Sequence, residues 1–433
     1  MTPDAGIASD CSLVADLLPA EAEGWESLRA AAREALAKQD LPTKREEDWK
    51  YCDLSELRKS SFSPAAPASV DIRERILPEA RGTRLVFVNG RFDPHHSCTS
   101  ALPQGLRFLP LHAASEAATR LGSLLKPAES DFFANLNTAA FADGAYVFVP
   151  RNLKAEAPLH LLFITAGGDG GAPLPSTQPR ILVEVERNAS AELIEEYAGS
   201  GPGFTNAAVE ILVHEGAELR HERIQREAPE AFHVSNLRAE VAKDGRYHSR
   251  TVSFGAKLSR QTPQVRLTGA GAEASLDGLA LLNGGQVSDT HSVLDHTQAH
   301  GASRQLHKCI VDDQAHAIFN GRIFVRHGAQ ATDAQQQCRT LLLSETARVD
   351  AKPQLEIDAD DVKCAHGAAV GALDPEELFY LQSRGLNAAA ARNLLTYGFA
   401  SDLLAHIPVA SLRRSLRQQV MARTNAADLV EMS

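Results

Sequence analysis

The sequence has few of the features that mark membrane proteins, secreted proteins and nucleotide-binding proteins. Its 433 residues include only six cysteines, and no two of them form a C-x-x-C pair. No uninterrupted run of eighteen apolar residues occurs, so no membrane span is expected. Glycine is nowhere followed by lysine, which excludes a Walker-type phosphate loop. The G-x-S-x-G and H-E-x-x-H motifs of hydrolases and metalloproteases are absent as well.

Charge and aromatic content narrow the function classes further. The formal net charge is −11 and aromatic residues make up 6%, a composition that disfavours nucleic-acid binding. The first basic residue is Arg29, so the charged start of a signal peptide is missing. Scattered cysteines form neither a disulfide framework nor a structural zinc site. We therefore expect a reduced, cytoplasmic protein that contacts neither nucleic acid nor membrane.

Hydrophobic periodicity changes twice along the chain and divides it into three regions. Residues 1–143 are predicted to form a mostly helical N-terminal domain, with a short strand pattern that ends at the turn Asn89-Gly90. Residues 144–372 show a period of two, which is typical of strands. Residues 373–433 return to a helical pattern, with Asp374 and Asn387 as N-cap candidates. Three regions agree with a length that exceeds the usual limit of one core.

The middle region predicts a stack of short strands. Helical patterns between the strands are nearly absent, which disfavours a doubly wound sheet. A sandwich, a barrel and a β-solenoid remain, and the length of the region and its recurring glycine-rich turns favour the solenoid. A loose repeat supports the same choice: His300-Gly301-Ala302, His327-Gly328-Ala329 and His366-Gly367-Ala368.

The strongest candidate site lies in the segment DVKCAHG, which contains Cys364 and His366. Residues i and i+2 of a strand share one face at a separation of about 6.5–7 Å, so both side chains are able to reach one metal or one partner surface. Two inert interpretations compete with this one. Cys364 is then a core residue beside a solvated histidine, or His-Gly-Ala is merely a type of corner in the solenoid.

A second cluster of candidate ligands is the histidine run within residues 291–307. Neutral imidazoles bind zinc and iron, but the mixed odd and even spacings prevent a single strand face from presenting all four histidines. We expect exposed histidines on stacked strands rather than a metal site. The run consists of His291, His296, His300 and His307.

Several long segments resemble the SufB/SufD family of the SUF iron–sulfur cluster assembly system. They include LPTKREEDWKYCDL, FFANLNTAAFADGAYVFVP and the block from IFNGRIFVRHGAQ to DDVKCAHGAAVGALDPEELFYLQSRGL. The Cys-x-His pair is similar to the SufD branch, since the SufB branch lacks it at this place. The chain departs from the family pattern at Ala365 and at residues 307–309. No role is carried over to Cys309 and Cys338.

The resemblance implies a right-handed parallel β-helix core between an N-terminal α/β region and a C-terminal helical region. It also implies pairing with SufB through the β-helix core and docking of the SufC ATPase on the C-terminal helices. His366, with Cys364 beside it, is then a transient ligand of iron or of an iron–sulfur cluster at the SufB interface. The resemblance leaves open whether the assembled complex binds reduced flavin, and the same edge is available for a homodimer when SufB is absent.

The expected function is therefore that of a non-catalytic scaffold subunit. Two alternatives from other classes stay open on the sequence. One is a β-solenoid enzyme that acts on polysaccharide, and the other is a stand-alone histidine-rich metal-binding protein. The enzyme would use acidic residues on one exposed face of the coils, namely Asp289, Asp295, Asp312 and Asp313.

Overall fold

The architecture is taken from a computed structural model that describes residues 17–18, 25–168, 171 and 173–424. Parts of the predicted regions therefore lie outside the described residues. These are the N-terminal residues 1–16 with Cys11, residues 19–24, positions 169, 170 and 172 of a glycine-rich loop, and residues 425–433.

Six α-helices occur in the described ranges, three before the strands of the core and three after them. Their bounds are α1 Glu26–Leu36, α2 Ser55–Lys59, α3 Phe132–Ala140, α4 Pro375–Ser383, α5 Ala388–Ala405 and α6 Ala410–Arg423. Short 3-10 turns lie at Glu47–Trp49, Arg73–Arg75, Pro78–Ala80, Leu111–Ala113, Ser115–Thr119 and Pro127–Glu129. Helix α4 begins after Asp374, whose carboxylate accepts the backbone N–H of Glu376, and α5 begins after Asn387, which accepts that of Ala390.

Two large sheets contain all the strands found in the described ranges. Sheet A has eleven: β1 Phe62–Pro64, β4 Arg107–Pro110, β5 Gly144–Val149, β7 Leu174–Thr177, β8 Arg180–Val185, β10 Phe204–Val213, β12 Phe232–Val241, β14 Leu258–Leu267, β16 Val287–His296, β18 His316–Val325 and β20 Arg348–Ile357. Sheet B has ten: β2 Arg84–Val88, β3 Arg91–Phe92, β6 Leu159–Ala166, β9 Ser190–Ser200, β11 Glu218–Arg226, β13 Arg246–Ser253, β15 Glu273–Leu282, β17 Ala302–Val311, β19 Thr332–Leu342 and β21 Val362–Gly371.

From β8 to β21 the chain alternates between the two sheets, and each strand pairs in parallel with the strand two positions later. Apolar residues of successive coils stack in register inside: Ile211 lies beside Val183 on one side and Ala239 on the other. This stacking buries a continuous core that no single coil is able to form alone. The predicted fold class, a mainly β chain with a parallel β-helix core and flanking α/β and helical regions, is confirmed.

The flanking regions cover the outer faces of the sheets. Helix α3 and the residues around Trp49 and Phe62 pack on sheet A, where they meet Phe204 and Phe232. Helices α5 and α6 pack on sheet B through a large apolar cluster that includes Leu403. None of the helices in these described ranges has both the length and the apolarity that a bilayer crossing requires.

The N-terminal region is less helical than its sequence pattern predicted. Its described part contains three short helices together with β1 to β4, all of which belong to the two sheets of the solenoid. Strand β2 extends sheet B through β6, and β4 extends sheet A through β5. The predicted turn at Asn89-Gly90 is present, and both residues have the positive φ that a tight hairpin requires.

Candidate functional site

Strand β21 forms the last rung of sheet B. It pairs with β19 on one side, and within the described part of the chain no strand pairs with its other edge. Most of its residues are exposed, including Val370, whose exposed fraction is 50%. An exposed strand edge offers unpaired N–H and C=O groups to another chain.

Cys364 lies on the face of β21 that looks into the solenoid. It is partly buried, packs against the main apolar core and lies beside Ala334 of the preceding coil. Burial raises the pKa of its thiol, and the nearby Asp333 carboxylate acts in the same direction. The thiol is therefore protonated at neutral pH, and a metal or a cationic partner is needed to make it a thiolate.

His366 shares the inward face with Cys364, because strand residues two apart point the same way. Within the described residues no further coil stacks on β21, so the histidine is exposed at the open end. Its ring makes no hydrogen bond to the described residues, which leaves both nitrogens available. The third His-Gly-Ala sequence therefore lies within a strand, whereas those at His300 and His327 lie in turns. The interpretation of His366 as a corner residue is wrong.

Directly beneath His366 in strand register lies Gln336. Its amide nitrogen donates to Gln305 Oε1 at 2.8 Å, and Gln305 donates in turn to Ser292 at 2.7 Å, so a polar chain crosses the interior. The remaining acceptor, Gln336 Oε1, is buried and has no hydrogen-bond partner among the described residues. A metal-binding histidine usually donates its second ring N–H to such an acceptor, which sets the tautomer.

Small residues make the surface of this edge recessed. A hollow of about 300 Å³ runs along β19 and β21 and is bordered by Gln337, Arg339 and His366. Gly367 contributes no side chain, and a Cβ placed there would have no atom within 4 Å. The hollow leaves room for a partner's side chains close to the imidazole.

The four histidines of residues 291–307 do not form the exposed array that we expected. His291, His296 and His307 are buried and only His300 is exposed. His307 stacks on Phe319 inside the solenoid, and burial lowers its pKa to about 4. His296 bonds Ser303 at 2.9 Å, and burial also lowers its pKa to about 4. His296 in sheet A and His307 in sheet B are therefore neutral core residues, and the four histidines form no group of metal ligands.

The four aspartates of the polysaccharide-enzyme alternative are also separated. Asp289 is buried and paired with Arg260, while Asp295 binds Arg326 at 2.8 Å. Asp312 accepts the backbone N–H of Asp313 in the turn before β18, and Asp313 accepts that of Gly284 in the turn before β16. Each carboxylate therefore has a structural partner of its own, and no shared face collects them.

Sequence reasoning did not foresee the polar groups buried inside the early coils. Glu195 lies 2.9 Å from His221 Nε2 and 3.1 Å from Arg223 Nη2, and all three side chains are buried. Burial opposes ionisation of Glu195, but the two basic neighbours outweigh it and lower its pKa to about 2. The alternation of His221 and Arg223 on the inward face of β11 was the available signal.

The C-terminal helices contain a second exposed surface. Helix α4 has no buried residue, and its Phe379 and Tyr380 are exposed by 72% and 61%. Helices α5 and α6, in contrast, bury Leu403, Leu412 and other apolar residues against sheet B. A pair of exposed aromatic residues on one helix is typical of protein-binding surfaces.

Two family models match this chain and together cover most of it. The model described as SUF system FeS cluster assembly, SufBD core domain, matches residues 164–399. The model described as SufBD protein N-terminal region matches residues 17–161. The chain belongs to the SufBD family. It is accordingly a protein of the SUF system of iron–sulfur cluster assembly.

Individual relatives agree with the family models. An iron–sulfur cluster assembly SufBD family protein of Synechocystis is 41% identical over 92% of this chain and 90% of the relative. Iron–sulfur cluster assembly protein SufD of Escherichia coli is 34% identical over 93% of both chains. The chloroplastic protein ABCI7 of Arabidopsis thaliana is 31% identical over 93% of this chain and 86% of that protein. The resemblance to the SufD branch is thereby confirmed.

Proposed function

We propose that this chain is a non-catalytic scaffold subunit that pairs with SufB through the open edge of its β-helix and presents His366 to a nascent cluster there. The single observation that supports this most directly is the location of His366. It lies on an unpaired edge strand, exposed, beside a thiol and above an unpartnered buried acceptor. The cluster or its iron is cargo in this proposal and is bound only transiently.

The imidazole of His366 and the thiol of Cys364 differ in whether they must lose a proton before they bind a metal. A neutral imidazole binds Fe²⁺ without first losing a proton, whereas a thiol must be deprotonated. Because burial raises the pKa of Cys364, His366 is the primary ligand of the proposal and Cys364 an auxiliary one. Gln336 Oε1 supplies the acceptor for the second imidazole nitrogen once the ring is fixed by a partner.

The same edge supports the proposed heterodimer. Strands β20 and β21 end their sheets, and apolar side chains are exposed on both, with Ile357 at 41% and Val370 at 50%. Parallel coils of a partner β-helix would continue both sheets and cover these residues. A second copy of this chain presents the same edge, so a homodimer is the expected substitute when SufB is absent.

We assign docking of the SufC ATPase to the C-terminal helices. Among them α4 has no buried residue, so its surface is available for the contact. Phe379 and Tyr380 supply an apolar contact, while α5 and α6 hold the base of the surface against sheet B. The ATPase would supply the phosphate loop that this sequence lacks. Binding of reduced flavin to the assembled complex stays a prediction, to which no residue is assigned.

Co-expression tests the assembly part of the proposal. The tagged chain is purified from cells that also express SufB and SufC, and the sample is analysed by size-exclusion chromatography and for bound iron and acid-labile sulfide. We expect a ternary complex with cluster in sub-stoichiometric amounts. Recovery of a homodimer alone under these conditions would contradict the proposed pairing.

Substitution on α4 tests the docking surface without uncovering the core. A truncation near Gly371 is unsuitable because it would expose the apolar face of sheet B that α5 and α6 cover. The double change Phe379→Ser and Tyr380→Ser should weaken SufC binding by tenfold or more, about 1.4 kcal/mol, because buried aromatic anchors dominate interfaces. Tyr51→Ser, at another exposed aromatic residue, is the control that should leave binding unchanged. Unchanged SufC binding by the double variant would refute the assignment.

A further inference from the structure

A group of two carboxylates and one imidazole lies far from the open edge, at the ends of two neighbouring strands of sheet A. Glu184 is the penultimate residue of β8, Glu186 follows that strand, and His214 follows β10. The two strands pair in parallel with Val185 beside Val213, and the backbone N–H of His214 donates to Val185 O at 3.0 Å. Residues 184 and 186 alternate with the inward Val185, so both carboxylates point to the outer face.

The geometry of the three side chains fits a single ion. One ligand atom from each lies within 4.8 Å of those of the others, and no other such group occurs among the described residues. Ligands bound tetrahedrally to one ion at about 2.0–2.2 Å lie about 3.3–3.6 Å apart. Small side-chain rotations therefore suffice to close the site. His214 Nε2 and Glu186 Oε1 are 3.8 Å apart, too far for a hydrogen bond but close enough to share a metal.

An independent observation indicates that something is missing from this group. The Glu184 side chain is only 2% exposed, and its Oε1 atom has no hydrogen-bond partner among the described residues. His214 Nε2 is also buried without a partner. Buried polar atoms are nearly always hydrogen-bonded, so an unpaired carboxylate oxygen and an unpaired ring nitrogen within one group indicate a ligand.

The charges around the group leave a negative excess. Arg120 contacts the other carboxylate oxygen of Glu184 at 3.4 Å, but its own side chain is exposed to solvent. Arg187 and Glu215, which flank the group, are paired with each other at 3.0 Å and add no net charge. A divalent cation would compensate both carboxylates at once.

We propose that Glu184, Glu186 and His214 bind a divalent first-row transition-metal ion such as Zn²⁺. The imidazole donor disfavours Ca²⁺ and Mg²⁺, which prefer oxygen ligands only, and the absence of sulfur disfavours Cu⁺. Three protein ligands leave at least one coordination position for water. The bound ion joins the ends of β8 and β10, the strands on which the N-terminal region packs. This site is independent of the proposed cluster edge.

The test is titration of the full-length, chelator-treated protein with ZnCl₂ by isothermal calorimetry. The structure predicts one binding event that His214→Gln and Glu186→Gln each weaken by at least about tenfold, since even changes outside the ligand set cost 10–100-fold. Both residues are partly exposed, so folding should persist, and a thermal unfolding scan checks it. The double change Arg187→Gln and Glu215→Gln removes a neighbouring ion pair outside the ligand set without changing the net charge, so it is the matched control and should bind normally.

Arg120→Gln gives a result that a purely structural role of these residues would not produce. Removal of the competing positive charge beside Glu184 should tighten Zn²⁺ binding, whereas surface substitutions away from the group should leave the Zn²⁺ affinity unaltered. The binding event should also persist in the His366→Ala variant, which separates it from any metal bound at the edge. Equal affinity in the wild type and His214→Gln, or the absence of a binding event that survives His366→Ala, would overturn the proposal.

Discussion

The two ends of the solenoid differ in what covers them. The early coils lie under the N-terminal region, where the buried Arg180 pairs with Glu210, which also accepts three backbone N–H groups of residues 122–125. The last coil has no cover, and it exposes His366 and leaves Gln336 Oε1 without a partner. If His366 acts as proposed, cover by other parts of the chain, rather than residue type, separates structural from functional polar groups in this molecule.

Two histidines illustrate the same difference within sheet B. His307 is stacked on Phe319, and burial keeps it neutral, so it acts as a core residue. His366 lies two coils later in the same sheet. It has solvent on one side and the unpartnered amide oxygen of Gln336 on the other. If this contrast is correct, substitutions under cover should change stability, and those at the open end should change partner binding or cluster formation.

The largest stability effect is expected at the covered ion pair. Arg180→Ala leaves the Glu210 carboxylate buried without its cation and should reduce the free energy of unfolding by about 3–5 kcal/mol. Urea unfolding followed by circular dichroism measures the change. Arg187→Ala removes one partner of the exposed Arg187–Glu215 pair and should cost no more than about 1 kcal/mol. Similar losses in both variants would contradict the expected difference between covered and exposed ion pairs.

The next largest effect is a pH dependence at a buried carboxyl group of β11. Burial raises the pKa of Glu222 to about 7 from an ordinary value of 4.5, in spite of its contact with Arg250. The folded state therefore holds a proton that the unfolded state releases. The resulting stabilisation is full below about pH 4.5 and is lost as the pH rises through about 7, with a limit of about 3 kcal/mol.

Glu222→Gln removes this dependence because the amide stays neutral. The free energy of unfolding of the variant relative to the wild type should therefore rise between about pH 5 and about pH 8. Burial also raises the pKa of Glu192 and Asp277, so some slope persists in the variant. Glu345→Gln, at an exposed position before β20, is the control. Parallel curves for wild type and Glu222→Gln would contradict the assignment.

Two glycines of sheet B test the same difference between the covered coils and the open end, with a smaller expected effect on stability. A Cβ at Gly278 would lie 2.2 Å from His307 Nδ1 inside the core, whereas a Cβ at Gly367 meets nothing within 4 Å. Gly278→Ala should therefore cost about 1–3 kcal/mol through overpacking, and Gly367→Ala should stay within about 0.5 kcal/mol. Thermal unfolding of both variants checks the difference, and an equal loss would show that the last coil is packed as tightly as the middle ones.

Much of the fold was predictable because its causes are local. Alternation of apolar residues such as Ile181 and Val183 places the strands, and the side-chain acceptors of Asp374 and Asn387 place the helix starts. The histidine run shows the limit of such reasoning. Whether His291 or His296 is exposed depends on the coil above and on the N-terminal region outside, and neither is visible in the period of one strand.

The candidate site was predictable in part. The Cys-x-His spacing and the family resemblance identified Cys364 and His366, but the sequence left open whether the histidine occupies a corner. Strand pairing with β19 decides this. The unpartnered oxygen of Gln336 and the exposed aromatic residues of α4 depend on tertiary packing, so no local pattern indicated them.

The smallest stability effects are expected at the two donors of the open end. His366→Ala should change the free energy of unfolding by no more than about 0.5 kcal/mol, because the exposed ring makes no hydrogen bond to the described residues. Cys364→Ala should reduce cluster formation less than His366→Ala if histidine is the main ligand. A larger effect of Cys364→Ala would instead assign sulfur transfer to this thiol. Iron and sulfide analysis of each purified complex measures the difference.

Cluster yield from the assembled complex tests the central claim most directly. His366→Ala is compared with His327→Ala, which changes the same His-Gly-Ala sequence in an exposed turn, and size-exclusion chromatography confirms assembly of both. The account predicts that His366→Ala lowers the bound iron and sulfide by about tenfold or more while His327→Ala leaves them unchanged. Normal cluster yield from an assembled His366→Ala complex would contradict it.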